Sequence, residues 1–82
     1  MPTYEFRITL GGVDHKAPLF EDPFYEAGCD DGMLGVIGST VYIEFVREAE
    51  SAEVAVTSAI GNVTAAGAKV IAVSEATVTR ET

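Results

Sequence analysis

Cys29, His15 and the Asp30-Asp31 pair are the residues here whose types could support nucleophilic, acid–base or metal chemistry. A catalytic thiol needs a base within hydrogen-bond reach and surroundings that favour its thiolate. Cys29 and His15 are 14 residues apart across irregular sequence, and neither lies in a recognisable nucleophile motif. Cys29 therefore reads as a small thiol packed beside a helix end, and His15 as a solvated loop residue. Asp30-Asp31-Gly32, with Glu26 one turn earlier, offers oxygen atoms to a hard cation. It lacks the spaced ligands and closing glutamate of a calcium loop, so these acids read as a solvated turn. Gly11-Gly12 has none of the flanking residues that cradle phosphate and reads as the end of a strand. Arg47-Glu48 suits an intramolecular ion pair better than ligand recognition. The expectation is no catalytic residue, no metal site and no cofactor.

Composition narrows the remaining classes. Thirteen Asp and Glu against five Lys and Arg give a formal charge of −8 over 82 residues. Nucleic-acid affinity comes largely from basic residues that displace counterions from phosphates, so no direct nucleic-acid contact is expected from this segment. The length suits one domain with a small core, and 48% apolar residues are enough to fold it. A single cysteine allows no internal disulfide, which fits a cytoplasmic location. MPTYEFRITL alternates apolar and polar residues instead of showing the basic start and apolar run of a signal peptide. No stretch approaches ~18 uninterrupted apolar residues, and no membrane contact is expected.

The elements that would position any site follow from periodicity. Tyr4, Phe6, Ile8 and Leu10 share one face of a strand that Gly11-Gly12 ends. Residues 13–22 form a connection. Asp22 supplies an N-cap and Pro23 a first helical residue for a short helix from Pro23 to Ala27, with Gly28 at its left-handed end. Gly38-Ser39 suits a two-residue hairpin turn with glycine first. That turn sets Ile37 against Thr40, Val36 against Val41, Gly35 against Tyr42, Leu34 against Ile43 and Met33 against Glu44. Leu34, Val36, Val41, Ile43 and Phe45 then share a buried face, leaving Met33, Tyr42 and Val46 on the other. Ser51 caps an amphipathic helix that carries Ala52, Ala55, Val56, Ala59, Ile60, Val63 and Ala66 on its apolar side and stops at Gly67. Residues 69–74, KVIAVS, form a final strand, and EATVTRET shows no core signal.

The succession βαββαβ predicts an α+β, ferredoxin-like fold: a four-stranded antiparallel sheet with two helices on one face. Residues 1–76 would form this single domain and residues 77–82 a C-terminal tail. The other face of the sheet would carry an apolar patch of Met33, Tyr42 and Val46 with either Ile71 and Val73 or their neighbours from the last strand, and Tyr42, Val46, Ile71 and Val73 are the expected contact residues. On a small domain such a patch marks a contact surface, and open sheet edges can pair with another chain. The expected function is that of a non-enzymatic interaction or oligomerisation domain, a homodimer or a partner of another protein. The alternative is a small-molecule sensor with its ligand at a domain or dimer interface.

The segments YEAGCDDGMLG (Tyr25 to Gly35), VYIEFVREAES (Val41 to Ser51) and SAIGNVTAAG (Ser58 to Gly67), with the closing SEATVTRET, resemble the N-terminal domain of small bacterial helix-turn-helix DNA-binding proteins. The likeness runs from Thr3 to Thr82. In those proteins the stretch resembling Val78-Thr79-Arg80-Glu81 leads into the recognition helices, and this sequence stops there. Val46 stands where an aspartate is more typical, and Pro23 in the first helix is a second departure. The resemblance implies an accessory, oligomerising or sensing domain of a transcriptional regulator or an antitoxin-like protein, and it implies no catalytic residue.

Overall fold

The computed structural model describes residues 1–80, without the side chain of Arg80. In chain order the elements are β1 (Thr3–Gly11), α1 (Asp22–Glu26), β2 (Gly32–Ile37), β3 (Thr40–Glu48), α2 (Ala52–Ala65), β4 (Lys69–Val73) and β5 (Thr77–Arg80). All pairings are antiparallel, in the order β2-β3-β1-β4, with β5 also on β1. The fold is thus α+β, with two helices and one antiparallel sheet of five strands.

The fifth strand corrects the expected count of four and lies within the segment read as a tail. Thr77 pairs with Glu5, Val78 with Tyr4 and Arg80 with Thr3. An edge strand of this kind is held by its backbone, which explains why it carries no core signal: Val78 is half exposed. Residues 81 and 82 lie outside the described residues.

The alternation in β1 sets the core. Tyr4, Phe6, Ile8 and Leu10 are buried and meet Val41, Ile43 and Phe45 of β3, with Phe6 and Phe45 stacked at 5.4 Å between ring centroids. Ala55, Ala59 and Val63 of α2 and Phe24 of α1 join the same cluster, so both helices serve one face of the sheet. Small alanines let α2 lie close to the strands, where dispersion contacts are strongest.

The hairpin has the expected register, from Ile37 with Thr40 to Met33 with Glu44. Gly38 adopts φ 62° ahead of Ser39, the left-handed first turn position that matches the twist of the two strands. Because β2 is the outermost strand, Leu34 is only partly buried and Val36 is 40% exposed, which departs from the buried position expected for both. Ser51 caps α2 by accepting a hydrogen bond from the Val54 amide at 3.2 Å. The first helix differs from expectation: its N-cap is Glu21, with no side-chain cap bond, and Asp22 is already helical.

Candidate functional site

Among the described residues, no helix covers the face of the sheet opposite α1 and α2. Strand parity places Thr3, Glu5, Arg7 and Thr9 of β1, Tyr42, Glu44 and Val46 of β3, and Met33, Gly35 and Ile37 of β2 on this side. Its apolar members are well exposed, Met33 at 74%, Ile37 at 60% and Val46 at 50%. Among strand residues, Glu5, Glu44 and Glu48 are opposed by Arg7 and Lys69. With Glu75, which follows β4 at the rim of this face, the described side chains carry about two of the chain's eight net negative charges there.

Its centre is a packed polar cluster. Arg7 lies opposite Glu44 in the β1–β3 register and pairs with it, Glu44 Oε1 accepting from both Nε (3.1 Å) and Nη2. The hydrogen bonds that Arg7 donates to Glu44 raise its pKa, so the guanidinium is charged throughout the accessible pH range. The same guanidinium lies 4.2 Å from the centre of the Tyr42 ring. Tyr42 in turn folds over Gly35, its cross-strand partner, where a Cβ would collide with the ring. The absence of a side chain at Gly35 thus lets the tyrosine lie flat and present its other side to Arg7.

Beside this cluster the edge of the sheet opens into a recess of about 380 Å³ lined by Glu5, Arg7, Glu44, Ser74, Glu75 and Thr77. It arises where β4 ends and β5 begins along β1. Ser74 bridges the gap: its amide donates to the Arg7 carbonyl (2.9 Å) and its hydroxyl accepts from the Arg7 amide (2.8 Å). Ser74 thus replaces a rung of the ladder while the chain swings outward to admit the recess.

Of the four residues expected at a contact surface, Tyr42, Val46 and Ile71 lie on this open face. Ile71 sits beside Gly11 at the register shift in β4 and is 65% exposed. Val73 does not lie there. It pairs with the fully buried Ile8 and packs against the core, because the irregularity between Thr9 and Leu10 inserts a residue and reverses the parity of the strand. Arg7, Glu44 and Ser74 escape sequence reasoning. Parity alone exposes Arg7, but its meeting with Glu44 depends on a pairing between strands over thirty residues apart.

Cys29 and Asp31 lie on the other side of the sheet, around Arg47. Arg47 directs Nε and Nη2 at the two oxygens of Asp31 (2.6 and 2.8 Å), Nη1 at Ser58 Oγ and Asn62 Oδ1 (both 2.9 Å), and Nη2 also at the Gly28 carbonyl (3.2 Å). Asn62 completes the cluster by donating to the Ala27 carbonyl at 2.9 Å. All five guanidinium donors are spent, so this is a clamp joining residues 27–31 to β3 and α2. The ion-pair partner of Arg47 is Asp31, so the turn expected to be solvated is instead tied to β3 and α2. Cys29 lies buried nearby, and burial raises its thiol pKa above the ordinary 9.0 although the Arg47 charge pulls the other way. It is therefore protonated at neutral pH and a poor nucleophile. No hydrogen bond joins it to His15, which lies in the connection before α1. Among the described residues no group of three or more His, Cys, Asp or Glu side chains could hold a metal ion, and no helix is long and apolar enough to cross a membrane. No family model, curated protein or solved structure matches the chain.

Proposed function

We propose that this chain is a non-enzymatic interaction domain that assembles, with a second copy of itself or with a protein partner, through the open face or an edge of its sheet. The observation that carries the reading is the contrast in charge: exposed Met33, Ile37, Val46 and Ile71 lie on a face holding about two of the chain's eight net negative charges. A surface on which opposite charges largely offset one another can approach another chain, whereas the acidic remainder repels. Tyr42, Val46 and Ile71 are the proposed contact residues of the face. The strand order β2-β3-β1-β4 supports a ferredoxin-like arrangement extended by β5. The resemblance to the N-terminal domains of small helix-turn-helix proteins supports a place in a transcriptional regulator or antitoxin-like protein. Light scattering of the purified chain over about a hundredfold concentration range tests the reading. A dimer or larger species is expected, and a strict monomer throughout would refute self-assembly.

The recess favours a second reading, a small-molecule sensor. Glu5, Glu44 and Glu75 outnumber Arg7 in its lining, which suits a ligand bearing an amine. A compound that binds only the folded chain must raise its melting temperature. A panel of small amines and amino acids is expected to contain one that does so, and a flat response across the panel would remove the sensor reading.

A further inference from the structure

The sheet ends in two edges that differ in how they meet solvent. At one, β4 and β5 are separated by a gap at residues 74–76, shifted in register on β1 at two places, and headed by Lys69. Interruptions, register shifts and an edge lysine are the devices that keep a strand from pairing with a stranger. The other edge, β2, is continuous over Gly32–Ile37, GMLGVI, and carries no charge and no proline.

The hydrogen-bonding phase of β2 shows which of its groups are open. In a two-residue hairpin the residues flanking the turn exchange ladder bonds, so Ile37, Gly35 and Met33 bond inward to β3. The bond from the Val46 amide to the Asp31 carbonyl continues this odd-numbered series. Even-numbered residues therefore point outward, and the Gly32 amide confirms it by donating to the Cys29 carbonyl at 3.0 Å. The amides and carbonyls of Leu34 and Val36 point to the unpaired side, flanking Gly35 symmetrically.

We infer that two copies of this chain join edge to edge through β2, antiparallel, with the two-fold axis at Gly35. This rests on the reading of the chain as a self-associating domain and assigns the contact between copies to the edge strand, which leaves Tyr42, Val46 and Ile71 of the open face to a further partner. Leu34 of each copy then exchanges backbone hydrogen bonds with Val36 of the other, on the helix side of the joined sheet. Met33, the most exposed of the large apolar residues, lies beside Ile37 of the second copy on the open side. Every large side chain of β2 thus meets an apolar one, because Met-Leu-Gly-Val-Ile is apolar to equal lengths on both sides of its glycine. The same register sets Asp31 beside Ser39 of the second copy, so no acid faces an acid, and Asp31 is already neutralised by Arg47. The outer edges of the joined sheet are the two interrupted ones, so growth stops at the dimer.

Cross-linking reads the register directly. Residues facing each other without ladder bonds across antiparallel strands have Cα atoms about 4.5 Å apart, within reach of a disulfide. The double variant Met33→Cys/Ile37→Cys, mildly oxidised, is expected to run as a covalent dimer that thiol reduction dissolves. Met33→Cys and Ile37→Cys alone are expected to remain uncrosslinked, since neither residue faces its own copy. Val36→Pro removes an outward amide without touching the bonds to β3 and should raise the dimer dissociation constant at least about tenfold. Val36→Lys checks the same point by charge with less risk to folding, and Val46→Glu, on the neighbouring strand β3 and outside the edge contact, should weaken the dimer far less. Should the chain dimerise without cross-linking in the double variant, and dissociate on Val46→Glu but not on Val36→Lys, the edge contact would be overturned while self-association stands. A monomeric parent chain would overturn both.

Discussion

Arg47 and Arg7 lie on opposite faces of one sheet and use the same chemistry for different ends. Each pairs with one carboxylate, and each places its guanidinium near an aromatic ring, Phe45 at 5.0 Å and Tyr42 at 4.2 Å. Their surroundings differ. The Arg47 side chain is 13% exposed and bonds to three further groups on α2 and the α1–β2 connection, whereas that of Arg7 is 42% exposed and bonds to Glu44 alone. A charge whose donors are all spent inside the fold is architecture. One that retains contact with water beside a recess and an uncovered face remains available to a partner.

The sharpest way to break this comparison is to remove Arg47. Arg47→Ala leaves Asp31, the Asn62 carbonyl oxygen and the Gly28 carbonyl without a donor and frees the segment that β2 grows from. A loss of about 2–3 kcal/mol is expected in urea denaturation, large for a domain of this size. Arg47→Lys should recover little of it, since a lysine cannot supply the planar fork that reaches Asp31, Ser58 and Asn62 together. If Arg47→Ala cost no more than a surface substitution, the distinction between the two arginines would fail.

Cys29, on the Arg47 side, sharpens the contrast through pH. Its thiol is held protonated by burial, so its folded pKa is raised. In the unfolded chain the thiol loses its proton at the ordinary value of 9.0, which draws the equilibrium toward unfolding. The stabilising contribution is therefore complete below that value and lost as pH rises through the folded pKa. Stability should fall more steeply above about pH 9 in the parent chain than in Cys29→Ala, measured as denaturation midpoints at matched pH. Parallel pH profiles would show the thiol to be exposed to solvent.

A smaller effect is expected on the open face at Gly35. A methyl group there must displace the Tyr42 ring, but the atoms it meets are at the far end of a side chain that can swing away. Gly35→Ala should cost about 1 kcal/mol or less, and much less still in a Tyr42→Ala background. Additivity of the two changes would show that the tyrosine does not rest on the glycine.

The two faces were also unequally legible in the sequence. Local rules sufficed for the buried side: alternation from Tyr4 to Leu10, a glycine-first turn that set the β2–β3 register, and the three- and four-residue spacing of Ala55, Ala59 and Val63. These signals are strong because burial forces them. The open face depends on pairings distant in sequence. Tyr42 and Val46 were placed there by the hairpin alone, but Arg7 meets Glu44 only through the β1–β3 register. Val73 was misplaced because a one-residue irregularity opposite Thr9 and Leu10 leaves no mark in an apolar run. The fifth strand was missed for the related reason that an edge strand is held by backbone bonds, to which Thr77-Val78-Thr79 gives only a propensity. The clamp was half visible: Arg47 was recognised as an ion-pairing residue, while its reach to Asp31 and Asn62 is a product of the tertiary fold.

The smallest change belongs to Arg7. Arg7→Ala removes an ion pair that water and salt already screen, and Glu44, itself 42% exposed, can be hydrated in its place. No resolvable shift of the melting temperature is expected for the monomeric fold. The charge of the open face, however, becomes more negative by one, and Tyr42 loses the cation above its ring. Self-association should then weaken modestly, and more so at low salt, where the added repulsion between copies is least screened. Sedimentation of Arg7→Ala and the parent chain at two ionic strengths separates these contributions. Unaltered folding with salt-dependent loss of assembly would assign Arg7 to the interaction surface. A large loss of folding stability would instead make it a second Arg47 and erase the difference between the faces.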